Sequence, residues 1–278
     1  MTRRQLAILG ACLAARLARA SADEPADEKA RAAGFLELAR AEAAAYAFED
    51  AAGARLALRA EPVLAWSNPV VGSIQGNVFV WTAKGRPEVV GSFYKWYAPF
   101  THRTNEFVSL AAGPVVAVRD GERVWSPSRA GVEPRPIPEA PAPAEAAPRR
   151  LRQMRALAGD FAARETDRKG IDRELRLLSQ PLHRYEKTEG DLVDGALFAF
   201  ALGTDPEALL LIEDRVVEGA PRWHYALARM NGIAMRGTHK GREVWNLPTL
   251  SYGTTNVRSE PYTSFLFREL PAAHPRNP

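Results

Sequence analysis

The fold is decided by a stretch that occurs twice, first as Gly76-Asn77-Val78-Phe79-Val80-Trp81 and then as Gly195-Ala196-Leu197-Phe198-Ala199-Phe200. Pro87-Glu88 follows the first copy, and Pro206-Glu207 follows the second at the same distance. The copies lie about 120 residues apart, which is the length of a small domain and longer than the period of a solenoid repeat. The pattern indicates that one unit of the chain is used twice.

Further pairs of motifs occur in the same order around this stretch. Gly121-Glu122-Arg123-Val124-Trp125 matches Gly241-Arg242-Glu243-Val244-Trp245, and upstream Trp66-Ser67-Asn68-Pro69 matches Leu178-Ser179-Gln180-Pro181. The alternative is coincidence among common strand and turn motifs. Three matches in one order favour an internal duplication of about 110–120 residues.

Turn signals separate the remaining apolar segments into strands. Lys84-Gly85-Arg86 and Asp120-Gly121 have the length and composition of hairpin turns, and Thr204-Asp205-Pro206 and Lys240-Gly241 repeat the scheme. Ala208 to Ile212 is continuously apolar, which predicts a strand covered on both faces. The sequence therefore predicts an antiparallel β meander in each half.

Each half begins with a stretch rich in Ala, Leu, Arg and Glu, at residues 28–53 and 149–166. These residues favour helix. We therefore predict an α+β fold of two duplicated units, each a helix packed on an antiparallel β meander.

A proline-rich segment at residues 127–148 joins the two predicted units. Proline-rich sequence favours an extended, semi-rigid linker. The predicted organisation is a signal peptide at residues 1–22, a first unit at 23–126, this linker, and a second unit at 149–278.

The N-terminus has the parts of a secretory signal. Arg3 and Arg4 precede an uncharged, mostly apolar run from Leu6 to Ala15, and the cleavage motifs Ala18-Arg19-Ala20 and Ala20-Ser21-Ala22 follow. We therefore predict an exported protein, in the periplasm or outside the cell.

Two other export routes stay open, together with one structural alternative. Thr2-Arg3-Arg4-Gln5-Leu6 is similar to a twin-arginine signal, and Leu9-Gly10-Ala11-Cys12 is similar to a lipobox, whose cysteine would carry a lipid anchor. An amphipathic surface helix is the structural alternative, because Ala, Leu and Arg all favour helix.

Removing this peptide changes the charge and the cysteine count of the chain. The full sequence has 37 Lys and Arg against 33 Asp and Glu. The signal region holds four arginines and no acid, so the mature counts are equal. A neutral protein gives no electrostatic reason to expect a nucleic-acid partner. Because Cys12 is the one cysteine, the mature chain has no disulfide and no cysteine-ligated metal. No mature segment is apolar enough to predict a transmembrane span.

No catalytic or cofactor motif is present, so no cofactor is predicted. His102 and Glu106, four residues apart on one predicted strand, could act as base and orienting residue, and His183 and His224 could converge across a sheet. The alternatives are a solvated hairpin carrying a hydrogen-bonded His102, and buried imidazoles bonded to backbone carbonyl groups. The sequence favours these structural interpretations.

Several motifs together resemble a family of exported proteins that is abundant in planctomycete bacteria. They cover nearly the whole mature chain: Glu61 to Pro69, Gly76 to Glu88, Tyr94 to Trp96, Asn105 to Phe107, Arg150 to Arg155, Arg173 to Leu178, Asp194 to Phe198 and Arg222 to Asn231. The family has no assigned function. The resemblance therefore implies compartment and a shared fold, but no role for any residue.

The sequence is compatible with two functions. The first is a non-enzymatic binding or structural module of the cell envelope, with an unknown protein or a small apolar ligand as partner. The second is an envelope hydrolase or lyase that uses histidine-based general acid–base chemistry. Whether the protein is an enzyme is left undecided by the sequence.

Overall fold

In the computed structural model, residues 30–98, 101–186, 190–251 and 258–268 are described. The predicted signal peptide with Cys12 lies outside them. Contacts divide the chain into residues 1–38 and 39–278. No helix in the described residues is both long enough and apolar enough to cross a membrane.

The described residues form two helices and eighteen strands. Helix α1 covers residues 30–44 and α2 covers Ala147–Gly159. The strands of the first half are β1 (Tyr46–Glu49), β2 (Ala57–Leu58), β3 (Leu64–Ser67), β4 (Ser73–Ala83), β5 (Arg86–Ala98), β6 (His102–Ser109), β7 (Val116–Arg119), β8 (Glu122–Trp125) and β9 (Arg135–Pro136). Those of the second half are β10 (Phe161–Thr166), β11 (Asp172–Leu177), β12 (His183–Glu186), β13 (Leu192–Leu202), β14 (Asp205–Val217), β15 (Ala220–Arg229), β16 (Ala234–His239), β17 (Arg242–Leu247) and β18 (Tyr262–Arg268).

These strands form three antiparallel sheets. The small sheet has the order β1-β7-β8, and the first large sheet has the order β18-β6-β5-β4-β2, with β3 also paired to β4. The second large sheet has the order β17-β16-β10-β11-β13-β14-β15-β9, with β12 also paired to β13. The two large sheets are strongly curled.

The predicted α+β class with two helix-on-meander units is wrong. Strands make up 53% of the described residues and helices 12%, so the protein is mostly β. The stretches predicted as long helices end early, at residue 44 and at Gly159, and continue as β1 and β10. Tyr46 begins β1 and Phe161 begins β10, and aromatic side chains fit a pleated, half-buried surface better than a helix.

Four tight hairpins have a two-residue turn whose second residue is glycine. The sequence predicted the turn at three of them. Lys84 and Gly85 both have positive φ, of 49° and 91°. Such a pair forms the two-residue turn whose twist matches that of the flanking strands. Asp120-Gly121, Glu218-Gly219 and Lys240-Gly241 have the same backbone signs.

The two large sheets pack face to face through one apolar cluster. Val78 and Val80 of β4 and Leu209 and Leu211 of β14 belong to this cluster and are buried. Neighbours in sequence point to the opposite face of each strand. The inner strands therefore have both faces covered.

The outer face of each large sheet has its own cover. In the first large sheet, Trp81 and Phe107 pack on Phe48 of the small sheet, with ring centroids 4.6 and 5.4 Å apart. In the second, Phe198 shares a cluster with Met154 of α2. Helix α2 is thus a cover for one sheet face and is not the centre of a repeated unit.

The last strand of each half pairs with the large sheet of the other half. β18 pairs with β6 from Val108 to His102, and β9 pairs with β15 at two positions. As a result, β18 forms one edge of the first large sheet, and β9 forms one edge of the second.

Two glycines each lie beneath an aromatic ring of a neighbouring strand. Trp66 is opposite Gly76, and Tyr185 is opposite Gly195. A Cβ atom on Gly76 would lie 2.2 Å from the Trp66 ring, and one on Gly195 would lie 2.4 Å from the Tyr185 ring. The glycines of the repeated stretch therefore leave room for rings that cover the sheet.

We expect Gly195→Ala to lower the free energy of unfolding by about 1–3 kcal/mol, because the methyl group overpacks the Tyr185 ring. Gly159→Ala is the control, since nothing lies within 4 Å of a Cβ atom there. The control should leave stability unchanged or raise it by up to about 1 kcal/mol. Urea denaturation measures both, and equal stability of the two variants would contradict the packing.

Candidate functional site

The first predicted acid–base pair, His102 and Glu106, is spread along β6. Four residues of strand place their Cα atoms roughly 13 Å apart. The His102 ring stacks on Trp96 at 5.9 Å between centroids. Glu106 is buried, and its Oε2 accepts a hydrogen bond of 2.9 Å from the Tyr262 hydroxyl. The Glu106 carboxyl group is thus held by β18.

His183 joins the two large sheets at a turn. Its Nε2 donates to the carbonyl oxygen of Gly85 at 2.9 Å, and its Nδ1 accepts from Arg59 at 3.3 Å. Burial lowers the pKa of His183, the bond to Gly85 raises it, and the charge of Arg59 lowers it, so the net shift is downward. This ring has both nitrogens occupied by structural contacts.

His224 is buried on β15, with Nδ1 3.2 Å from the carbonyl oxygen of Arg222. Strands β13 and β14 lie between His183 and His224. Three strand spacings separate them by roughly 14 Å along the sheet. The structure therefore does not bring these two histidines together.

Metal-ligating side chains do not converge in the part of the chain that the structure describes. No three His, Cys, Asp or Glu side chains there are grouped closely enough to hold an ion.

An acidic cluster (Glu106, Asp205 and Glu207) lies where β6 of the first large sheet meets the start of β14. Asn68 donates to Asp205 at 3.1 Å, and Asn231 donates to Glu207 at 2.5 Å. Each carboxyl group therefore has a neutral hydrogen-bond donor, since Tyr262 serves Glu106.

Burial and mutual repulsion keep protons on this cluster. Burial raises the pKa of Glu106 to about 8; the bond from Tyr262 lowers it, and the charge of Glu207 raises it. Burial also raises the pKa of Asp205 and of Glu207 well above the ordinary range, and repulsion from other acids adds to both shifts. At pH 7 the Glu106 carboxyl group is therefore mainly neutral.

A second buried carboxyl group between the sheets has the opposite character. The Oε1 atom of Glu213 accepts from Arg86 Nε at 2.8 Å and from the Tyr185 hydroxyl at 2.7 Å, and Oε2 accepts from Arg215 at 2.7 Å. Burial raises the pKa of Glu213, but the charges of Arg86 and Arg215 outweigh burial and lower it. Glu213 is therefore ionised and joins β14 to Arg86 of β5.

A cavity of about 840 Å³ lies beside the end of β15. This volume is within the range of small-molecule sites. Its walls come from β15, from the segment at 129–135, from β17 and the residues after it, and from the start of β18. The lining residues include Leu227, Ala228 and Arg229 of β15, Trp245 and Leu247 of β17, and Tyr262 of β18.

The strand pairing explains why the cavity lies at this place. β18 pairs with β6 from Val108 to His102, whereas β9 pairs with β15 at His224 and Tyr225. Before β9 the chain lies against the other sheet, since Gly131 donates to the carbonyl of Ala111. The crossing from Gly131 to β9 leaves the end of β15 facing open space.

The sequence alone did not indicate several residues of this region. Glu207 was visible only as part of a repeated Pro-Glu pair, and Arg229 only as part of a family motif. Tyr262 had no signal, because nothing in the sequence shows that β18 returns to β6. The hydrogen bond from Tyr262 to Glu106 forms through that return.

We expect Glu106→Gln to change the pH dependence of stability. Because the folded pKa of Glu106 is raised, its contribution to stability is full below about pH 4.5 and is lost as pH rises through about 8, by up to roughly 1.4 kcal/mol per pH unit. The Gln variant should therefore gain stability relative to the native protein between pH 5 and 9. Denaturant titrations at several pH values measure this difference.

Glu213→Gln is the matched control, because the folded pKa of Glu213 is lowered. Its contribution is present above about pH 4.5 and is lost as pH falls through the lowered folded pKa. This variant should be less stable than the native protein at pH 7, and the deficit should narrow in acid. The same pH profile for both variants would contradict the two assignments.

Comparison with known proteins adds no relative. Scans against protein-family models, curated proteins and solved structures each found no match for the chain. The resemblance to exported planctomycete proteins stays a prediction.

Proposed function

We propose that this protein is a non-enzymatic binding module and that its cavity takes a small, mainly apolar ligand. The observation that carries the proposal is the cavity of about 840 Å³ at the end of β15. Leu227, Leu247 and Leu250 line it together with Trp245. Concave, largely apolar sites of this size are typical of ligand-binding proteins.

The placement of the histidines favours binding over acid–base catalysis. The described residues that line the cavity include no histidine. His183 and His224 bond to backbone carbonyl groups elsewhere, and Glu106 lies behind the Tyr262 hydroxyl. A histidine-based hydrolase or lyase would need a histidine within hydrogen-bond reach of its substrate, and the two carboxylates of the cavity wall, Glu133 and Glu260, are each paired with an arginine.

Export to the cell envelope belongs to this proposal and rests on the predicted signal peptide at residues 1–22.

Duplication of a strand set belongs to it as well. In the first large sheet Phe79 is opposite Gly91, and in the second Phe198 is opposite Leu210. The order β4-β5-β6 with β18 at its edge returns as β13-β14-β15 with β9 at its edge, which supports a common origin of the two strand sets.

We expect the neutral dye N-phenyl-1-naphthylamine to bind the full chain with a rise in fluorescence. Ala130→Trp should weaken this binding by about tenfold or more, equivalent to about 1.4 kcal/mol, because the indole would occupy the cavity mouth. Ala130 is exposed, so the change should not disturb the core.

Ala60→Trp is the control for this experiment, since Ala60 is also exposed and is not part of the cavity wall. It should bind the dye as the native protein does. Absence of dye binding by the native chain, or equal weakening by the two tryptophans, would refute the proposed function.

A further inference from the structure

The charged side chains of the cavity wall are mostly paired with one another. Arg129 donates to Glu260 at 2.6 Å, and Arg135 donates to Glu133 at 3.2 Å. These two ion pairs balance within the wall. The remaining charged residue of the lining is Arg229.

Arg229 is 8% exposed, and its bonds in the described part of the chain are to neutral groups. One terminal nitrogen donates to the carbonyl oxygens of Ile233 at 3.0 Å and of Pro248 at 2.8 Å. Its Nε is buried without a hydrogen-bond partner, and no described carboxylate forms an ion pair with it. The wall therefore has one positive charge that no described acid balances.

Burial also acts on the ionisation of the guanidinium group. It lowers the pKa of Arg229, and Tyr262, which raises that pKa, offsets only part of the shift. Tyr262 directs its hydroxyl to Glu106, whose carboxyl group is mainly neutral at pH 7. Glu106, on the far side of this hydroxyl, thus does not supply the missing counterion.

The rest of the wall would suit an alkyl chain. Val132, Ala228, Leu247 and Leu250 are apolar and line the same cavity as Arg229. A long chain with a charged end gains free energy from burial of each methylene group, and its head group needs a partner of opposite charge when it leaves water.

From this charge balance we propose that the ligand is a single-chain amphiphile with a carboxylate head group, and that Arg229 holds the carboxylate. The inference rests on the proposed function and names the class of its ligand. A guanidinium is planar, always protonated at neutral pH and well matched to a carboxylate. The guanidinium group of Arg229 is desolvated when the protein folds. The ligand carboxylate therefore binds a charge that is already held in position.

The test compares two probes that differ only at the head group, 11-bromoundecanoic acid and 11-bromoundecan-1-ol. Bromine quenches tryptophan fluorescence at short range, and Trp245 lines the cavity. Titration of the full chain at pH 7 and low salt should show the acid binding about tenfold or more tightly than the alcohol, as expected for a charge-assisted hydrogen bond. Quenching should fall in Trp245→Phe.

Variants of Arg229 then identify the anchor. Arg229→Gln should bind the acid and the alcohol equally, whereas Arg229→Lys should keep the preference for the acid, because it keeps the positive charge. Preference for the acid that persists in Arg229→Gln would overturn the assignment of the head group. Quenching that is unchanged in Trp245→Phe would overturn the assignment of the cavity.

Measurements on the native protein alone test the carboxylate inference and the binding function separately. The test therefore holds even if a variant fails to fold. Equal affinity of the native chain for the acid and the alcohol would overturn the carboxylate inference and leave the binding function in place. Binding of neither probe would also overturn the carboxylate inference, whereas absence of binding of the neutral dye by the native chain would overturn the proposed function itself.

Discussion

The inner strands of both large sheets are buried on both faces, and the rest of the structure follows from that constraint. Leu209 and Leu211 face the other large sheet, while Leu210 and Ile212 face the cluster under α2. The run from Ala208 to Ile212 is apolar at every position, so it needs a cover on each side. The opposite sheet supplies one cover, and the small sheet or α2 supplies the other.

Charged groups between the two sheets are tolerated in two different ways. Glu213 keeps its charge because Arg86 and Arg215 surround it, so that Coulomb attraction offsets desolvation. Glu106 has Tyr262 as its hydrogen-bond donor and loses its charge at neutral pH. Both arrangements avoid an isolated ion in the contact between the sheets. Ion pairing therefore stabilises the contact between the sheets at Glu213, and protonation stabilises it at Glu106.

Local signals in the sequence predicted local structure well. The turn at Lys84-Gly85 and the apolar run from Ala208 to Ile212 both have the structure expected from their residues. The fold class was not predictable in the same way. Period-two alternation shows which side chains share a face, but it does not show whether a helix or another sheet covers that face. The continuous run from Ala208 required two covers, and a meander with one helix supplies only one, so the second cover had to come from outside the predicted unit.

The candidate site was hidden for a related reason, because it depends on pairings between distant parts of the chain. Glu106 was singled out as the partner of His102, but its hydrogen-bond donor is Tyr262, more than 150 residues away. The proximity of β6 and β18 is a property of the strand exchange. The residues of β6 alone do not show which distant strand pairs with it.

The prolines between the halves acquire a structural meaning from that exchange. Ile137 donates its N–H to the carbonyl of Trp223 on β15, and alternation then directs Arg135 to the same side. Pro134, Pro136 and Pro138 occupy the intervening positions, where an N–H would point away from the sheet. Without these donors, the outer edge of β9 is a poor template for another strand. This edge of the second large sheet is therefore closed at β9, and the end of β15, where Arg229 and the cavity lie, extends beyond it.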